Sequence, residues 1–189
     1  MKQITIHIDG ACSNNGKPNA VAGYGIVYDF GLPTQSTVSG LVESEQTNNA
    51  AELTAFVKAF EPLLEMYQQL QVTVYTDSML LINGATKWID TWKLNGYKTS
   101  NRTPVANREL WEIIDMIMEH YKPTLVHVLG HSGDQGNELA DSLAVDAVKQ
   151  GKANLVSEKQ VLARQLLKAC DKSDLKDIGL IELLLNYLD

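Results

Sequence analysis

Apolar and polar positions alternate from the beginning of the chain. Ile4, Ile6 and Ile8 are separated by Thr5, His7 and Asp9, and Gly10 follows. A period of two with one apolar side predicts a strand with one buried face, ended by the glycine with a carboxylate at its exit. A polar turn rich in breakers follows at 12–19. Residues 23–29 and 35–42 read as two further strands around Gly31 and Pro33, giving an antiparallel meander. The period then changes to that of a helix over 47–67, with Leu53, Phe56, Val57 and Phe60 on one side and Pro62 as a kink or break.

Residues 71–76 return to strand character and end at Asp77-Ser78. A helical pattern covers 79–94 with an interruption at Asn83-Gly84, and a clearer helix covers 107–120. Pro123 precedes a fifth strand at 124–129, and the Gly130-His131-Ser132-Gly133 loop leads into a helix over 135–148. Strands first and alternating elements later predict a mixed sheet with helices on its faces. Near Gly151 the character changes. Ser157-x-x-Gln160 fits a capping box for a helix carrying Leu162, Leu166 and Cys170. Ser173-Asp174 then starts another, with Ile178, Ile181, Leu184 and Leu188 three to four apart.

A chain of 189 residues holds one well-buried domain and a modest appendage. Its 44% hydrophobic and 21% charged residues are ordinary for a soluble protein. No apolar run approaches a membrane span and residue 4 already belongs to a strand, so neither an anchor nor a signal peptide is expected. Cys12 and Cys170 are too few for a disulfide framework, which predicts a reducing, cytoplasmic setting. A net charge of −7 excludes a general polyanion binder, so a nucleic-acid protein of this balance needs a local basic surface. Residues 86–108 supply one: Lys87, Lys93, Lys98, Arg102 and Arg108 stand against Asp90 alone.

Four acids stand where strands end or where helices turn towards the sheet. Asp9 and Asp77 each follow a strand, Glu52 adjoins Leu53, and Asp141 adjoins Ala140 on the side formed with Leu143, Ala144 and Ala147. Alone, each is ordinarily a solvated turn or helix-flank residue; together, at corresponding ends, they predict a cluster. At about 4 Å and an effective dielectric near 20, each pair of carboxylates costs about 4 kcal/mol. Hard divalent cations relieve that repulsion, and oxygen-only ligands suit Mg²⁺ or Mn²⁺. Two such ions ~3.5–4 Å apart activate a water and stabilise the leaving oxygen of a phosphodiester.

These same residues carry a family resemblance. Asp9-Gly10-Ala11-Cys12, Thr47-Asn48-Asn49-Ala50-Ala51-Glu52-Leu53, Tyr75-Thr76-Asp77-Ser78, and Gly130-His131-Ser132-Gly133 with Gly136-Asn137-Glu138-Leu139-Ala140-Asp141 resemble the ordered motifs of type 1 ribonuclease H of the bacterial type. The resemblance covers 1–151 and implies that family's five-stranded mixed sheet with helices on both faces. It implies an endonuclease that cuts the RNA strand of an RNA–DNA hybrid, leaving 5′-phosphate and 3′-hydroxyl ends. By motif, Asp9, Glu52, Asp77 and Asp141 would hold two Mg²⁺ ions, with Mn²⁺ able to substitute. Glu52 would also sense the ribose 2′-hydroxyl, and His131 would assist proton transfer or product release. Cys12 (through its backbone), Asn15 (or Asn14), Asn48 and Asn49 would face the hybrid's minor groove, and Thr47 and Asn107 would grip a DNA phosphate. Trp88, Trp92, Lys93 and Lys98 would belong to a basic protrusion that contacts substrate. Met79 departs from the pattern, standing where the family often has a polar residue.

The competing reading is a non-catalytic hybrid-binding or assembly module that works through its C-terminal helices. The resemblance is silent on 152–189, where six basic residues balance six acids. Two short leucine-rich helices bury too little surface to be stable alone. They are expected to pack on the core, with self-association or a protein partner as the alternatives.

Overall fold

The structure, a computed structural model, describes residues 2–64 and 69–169, with side chains described as far as residue 155. The opening alternation becomes β1, Lys2–Ser13, from which the sheet is built outwards. β2 (Val21–Tyr28) and β3 (Ser36–Leu41) form the predicted meander, and β4 (Leu70–Thr76) and β5 (Thr124–His127) join on the other side. The order is β3-β2-β1-β4-β5, antiparallel from β1 to β3 and parallel from β1 to β5.

α1, Asn48–Phe60, packs on β1 and β2 and buries Leu53, Phe56 and Phe60 against Ile4, Ile6 and Ile8. It starts where Thr47 Oγ1 accepts a hydrogen bond from Ala50 N at 3.1 Å, a side-chain cap on an otherwise orphaned donor. It ends before Pro62, which lies in a 3₁₀ turn, Glu61–Leu63. The rest of the helix expected to 67 falls partly on residues 65–68, outside the described residues. α2 (Met79–Asn83) and α3 (Ile89–Asn95) are joined by one π-helical turn, Gly84–Trp88, at the interruption read from Asn83-Gly84. α4, Arg108–Tyr121, packs on α1 and on the α2–α3 turn, sending Trp111 and Ile114 into the core.

Three expectations need correction. The first strand does not end at Gly10: β2 supplies a pairing partner as far as Ser13, so Asp9 lies within β1. β1 is not a strand with one buried face: His7 and Asp9, on the side away from the isoleucines, are also buried. The cause is α5, Gln135–Ala169, whose first turns lie against that side; a Cβ at Gly25 would meet Ala140 and Ala144 of the helix. A partner so far along the chain leaves no mark on a strand's local period. α5 itself does not stop near Gly151 to be restarted by a Ser157 cap, because both residues are helical interior. One glycine costs a helix about 1 kcal/mol, too little to end one flanked by Lys149, Gln150, Lys152 and Ala153.

The chain divides into two compact units, 1–148 and 149–189. The helix expected to carry Ile178, Ile181, Leu184 and Leu188 lies outside the described residues. Among the described residues, no helix is long and apolar enough to cross a membrane.

Candidate active site

Strand register places the first pair of acids. β1 and β4 run parallel with His7 opposite Tyr75, so two residues on, at the same ends, come Asp9 and Asp77. Asp77 occupies a tight strand-to-helix link: Thr76 Oγ1 accepts from Ser78 N at 3.1 Å, and Ser78 Oγ accepts from Leu81 N at 3.3 Å. Glu52 comes from the second turn of α1, brought close because residue 10 is glycine. A Cβ there would overlap the backbone of Ala51 and Glu52.

Asp9, Glu52 and Asp77 each offer an oxygen within 4.8 Å of the others. With Asp141 and His131 they line an open cleft of about 540 Å³, joined by Gly10, Cys12, Asn48, Asn49 and Met79. Asp9 Oδ1 accepts from Gly10 N at 2.7 Å. Glu52 Oε2 is buried with no hydrogen-bond partner, an expensive state for a carboxyl oxygen that a bound cation would relieve. The donor set is all oxygen, as a hard divalent cation prefers.

Electrostatics follow from crowding in a place with little water. Burial first, then the charges of Asp77 and Asp141, push the Asp9 carboxyl up to about 7 from 3.8. Burial and the charges of Asp9 and Asp77 raise Glu52 well above the usual carboxylate range. Without a cation, this cluster binds protons where ordinary carboxylates have lost them.

The remaining predicted residues fall in several settings. His131 is the loop residue that projects: its side chain is 85% exposed, its φ is +53°, and its Nδ1 stands 4.0 Å from Asp141 Oδ2. Asn48 and Asn49 line the cleft, and Asn15 Oδ1 accepts from Asn48 N at 3.3 Å, fastening the first polar turn to the start of α1. Cys12 Sγ lies 3.3 Å from the carbonyl of Gln46. The Thr47 hydroxyl is engaged as the α1 cap, whereas Asn107, at the start of α4 with φ +57°, makes no capping bond.

Trp88 and Trp92 continue inwards to Trp111, with ring centres 5.7 and 5.2 Å apart, so the protrusion is anchored by aromatic packing. Its charge is partly compensated. Lys93 Nζ lies 2.7 Å from both Asp115 and Glu119 of α4, and Arg108 Nε lies 2.8 Å from Glu112. Lys98 instead uses its backbone N and carbonyl to bond the Asn95 side chain.

Sequence reasoning overlooked Gln46, His7 and Asp134. Gln46 clamps the approach to α1, accepting from Ala22 N at 2.7 Å and donating to the carbonyls of Val42 and Ser44. Nothing in its local pattern distinguishes it from a solvated loop glutamine.

Comparison with known proteins gives one family. Residues 1–149 match the RNase H family. The chain is 36% identical over 151 residues to a ribonuclease H of Clostridium botulinum, covering 79% of this chain and 98% of that protein. It is 41% identical over 156 residues to a ribonuclease H of Rhizobium etli, covering 81% and 98%. Among solved structures it is similar to LC9-RNase H1, described as a type 1 RNase H with the type 2 active-site motif. The TM-score is 0.69 at 25% identity, over 79% of this chain and 73% of that one.

Proposed function

The chain belongs to the RNase H family, and from that premise we propose that it is an endonuclease hydrolysing the RNA strand of RNA–DNA hybrids, giving 5′-phosphate and 3′-hydroxyl ends. The observation that carries the reading is the convergence of Asp9, Glu52 and Asp77 within 4.8 Å, with Asp141 on the same cleft. A binding or assembly module has no use for a repulsive cluster of that kind.

Asp9, Glu52, Asp77 and Asp141 would hold two Mg²⁺ ions, Mn²⁺ substituting. Bound there, such ions supply Lewis-acid stabilisation of the reacting phosphate and a more acidic water. The protein's own contribution is to deliver the carboxylates in a fixed arrangement, so that little reorganisation is left to the moment of reaction. Glu52, which shares the cleft with Asn48 and Asn49, would sense a ribose 2′-hydroxyl, the group that separates RNA from DNA. His131, exposed at the mouth of the cleft, takes up or returns a proton at its ring and is steered by Asp141.

Asn15 and the Cys12 backbone extend the minor-groove contact, and Thr47 and Asn107 face a DNA phosphate. Trp88, Trp92, Lys93 and Lys98 form the protruding contact. Phosphate contacts position the duplex and the cleft reads its sugar. Cytoplasmic residence is proposed from the sparse cysteines alone.

The test is cleavage of a labelled hybrid with Mg²⁺, beside RNA-duplex and DNA-duplex controls. Cleavage of the hybrid's RNA strand alone is expected. Equal cleavage of all three, or of none, rejects the proposal.

A further inference from the structure

His7 is a buried imidazole that the chemistry above does not use. It lies two residues before Asp9 on β1 and is 8% exposed. Its ring stacks on Tyr75 with centres 4.6 Å apart, and Phe30 meets it edge-on at 6.0 Å. Nδ1 is buried without a hydrogen-bond partner. An apolar ring would fill this place without leaving a polar atom unpaired, so the nitrogens need a reason.

The reason we find is α5. His7 Nε2 stands 3.6 Å from Asp134 Oδ1, beyond hydrogen-bond length and within electrostatic reach. That same oxygen accepts from Asn137 N at 2.9 Å, and the Asp134 carbonyl accepts from Glu138 N at 2.9 Å, so Asp134 closes the first turn of α5. Gly136 sits on the ring: a Cβ there would lie 2.5 Å from Nε2. The imidazole is therefore the seat on which that turn rests. Asp141 follows seven residues after Asp134, about 10 Å along the helix at 1.5 Å per residue. Over two turns a helix carries a shift of its first turn forward almost undiminished.

We propose that His7 is a positioning residue: by seating Asp134 and Gly136 it fixes the first turn of α5, and through it the placement of Asp141 against Asp9. The inference rests on the assignment of Asp9 and Asp141 to the metal site.

The experiment uses the full chain. His7→Phe keeps the ring and its stacking but removes Nε2. Its kcat on the hybrid should fall about tenfold, the scale of groups that orient metal ligands, with KM unchanged. Calorimetric titration with Mn²⁺ in the absence of substrate should show a matching loss of affinity. His7→Gln, which restores an amide nitrogen towards Asp134, should recover most of both. Asp134→Ser keeps a capping oxygen but cannot reach His7; it should lower kcat similarly and be non-additive with His7→Phe. If His7→Phe does not fold, Asp134→Ser carries the test alone.

Unchanged kcat and Mn²⁺ affinity in either variant overturns the inference, whatever the melting temperature does, as does a Gln variant no better than Phe. Asp9→Asn runs alongside. If it cleaves normally, the metal-site assignment has failed; if it is inactive while His7→Phe is normal, only the positioning role has failed.

Discussion

Asp9 is buried beside two other acids, and its carboxyl is pushed up to about 7 by burial and by the charges of Asp77 and Asp141. The folded state thus binds this proton more tightly than the unfolded chain, where the group titrates near 3.8. Its stabilising contribution is fully present below that value and is lost as pH rises through about 7. In EDTA, the parent's melting temperature should therefore fall across this window, and Asp9→Asn should flatten the fall. At pH 8 the variant should be more stable than the parent by about 1–3 kcal/mol, part of the repulsion of one carboxylate pair, since water in the open cleft screens the rest. Mg²⁺ should stabilise the parent more than the variant, since it binds the folded site. A variant no more stable than its parent in EDTA would mean that the acids are not crowded. In turnover the order reverses: Asp9→Asn should abolish cleavage while gel-shift affinity for the hybrid at low Mg²⁺ stays near that of the parent, because phosphate contacts elsewhere supply binding. The individual acids were readable in the sequence through the ordered motifs that carry them: Asp77 alone lies at an element boundary, while Asp9, Glu52 and Asp141 lie inside β1, α1 and α5. Their protonation was not, since it depends on distances that no local pattern encodes.

The segment 86–108 looks, residue by residue, like a basic protrusion with five cations and one acid. In the folded protein α4 lies beside it and returns part of that charge as Asp115, Glu119 and Glu112. Lys98 is paired with no acid among the described residues. Lys98→Ala should accordingly reduce the slope of log binding constant against log salt by about one unit. Lys93→Ala should change the slope by clearly less, since Lys93 already holds two carboxylates. Salt titrations of hybrid binding by fluorescence anisotropy check this, and equal slopes for Lys98→Ala and the parent would remove the protrusion from the interface. The helices themselves were legible, α1 and α4 from their apolar periods and the interruption after α2 from Asn83-Gly84, though not its π-helical form. The ion pairs were not, because the partners of Lys93 sit 22 and 26 positions later on a different helix.

Across the whole molecule, the five-stranded mixed sheet followed from the sequence because the five strand patterns and the motifs fell in one consistent sequence of elements. The unbroken α5 did not: Gly151 and Ser157-x-x-Gln160 look locally like a stop and a cap, and the helix formers around them outweigh both. We propose that 152–189 is dispensable for chemistry. A chain ending at Gly151 keeps all four acids and should still cleave hybrid specifically, with a lower melting temperature because α5 is cut within its length. Light scattering on both chains adds a second readout, and a full-length dimer that becomes monomeric on truncation would assign the extension to self-association. Loss of cleavage by a folded truncated chain would place the extension within the enzyme. The parallel register of β1 and β4 has a further consequence, for changes in length. Asp9 and Asp77 meet because each lies two residues beyond a facing pair, His7 and Tyr75. Side chains on a strand alternate, so deleting Thr73 would slip every later position of β4 out of step and turn its side chains to the opposite face. That deletion should remove cleavage completely, whereas one residue inserted in the turn after Gly31, away from the cleft, should leave activity near the parent's. On these two strands the count of residues is constrained as tightly as their identity.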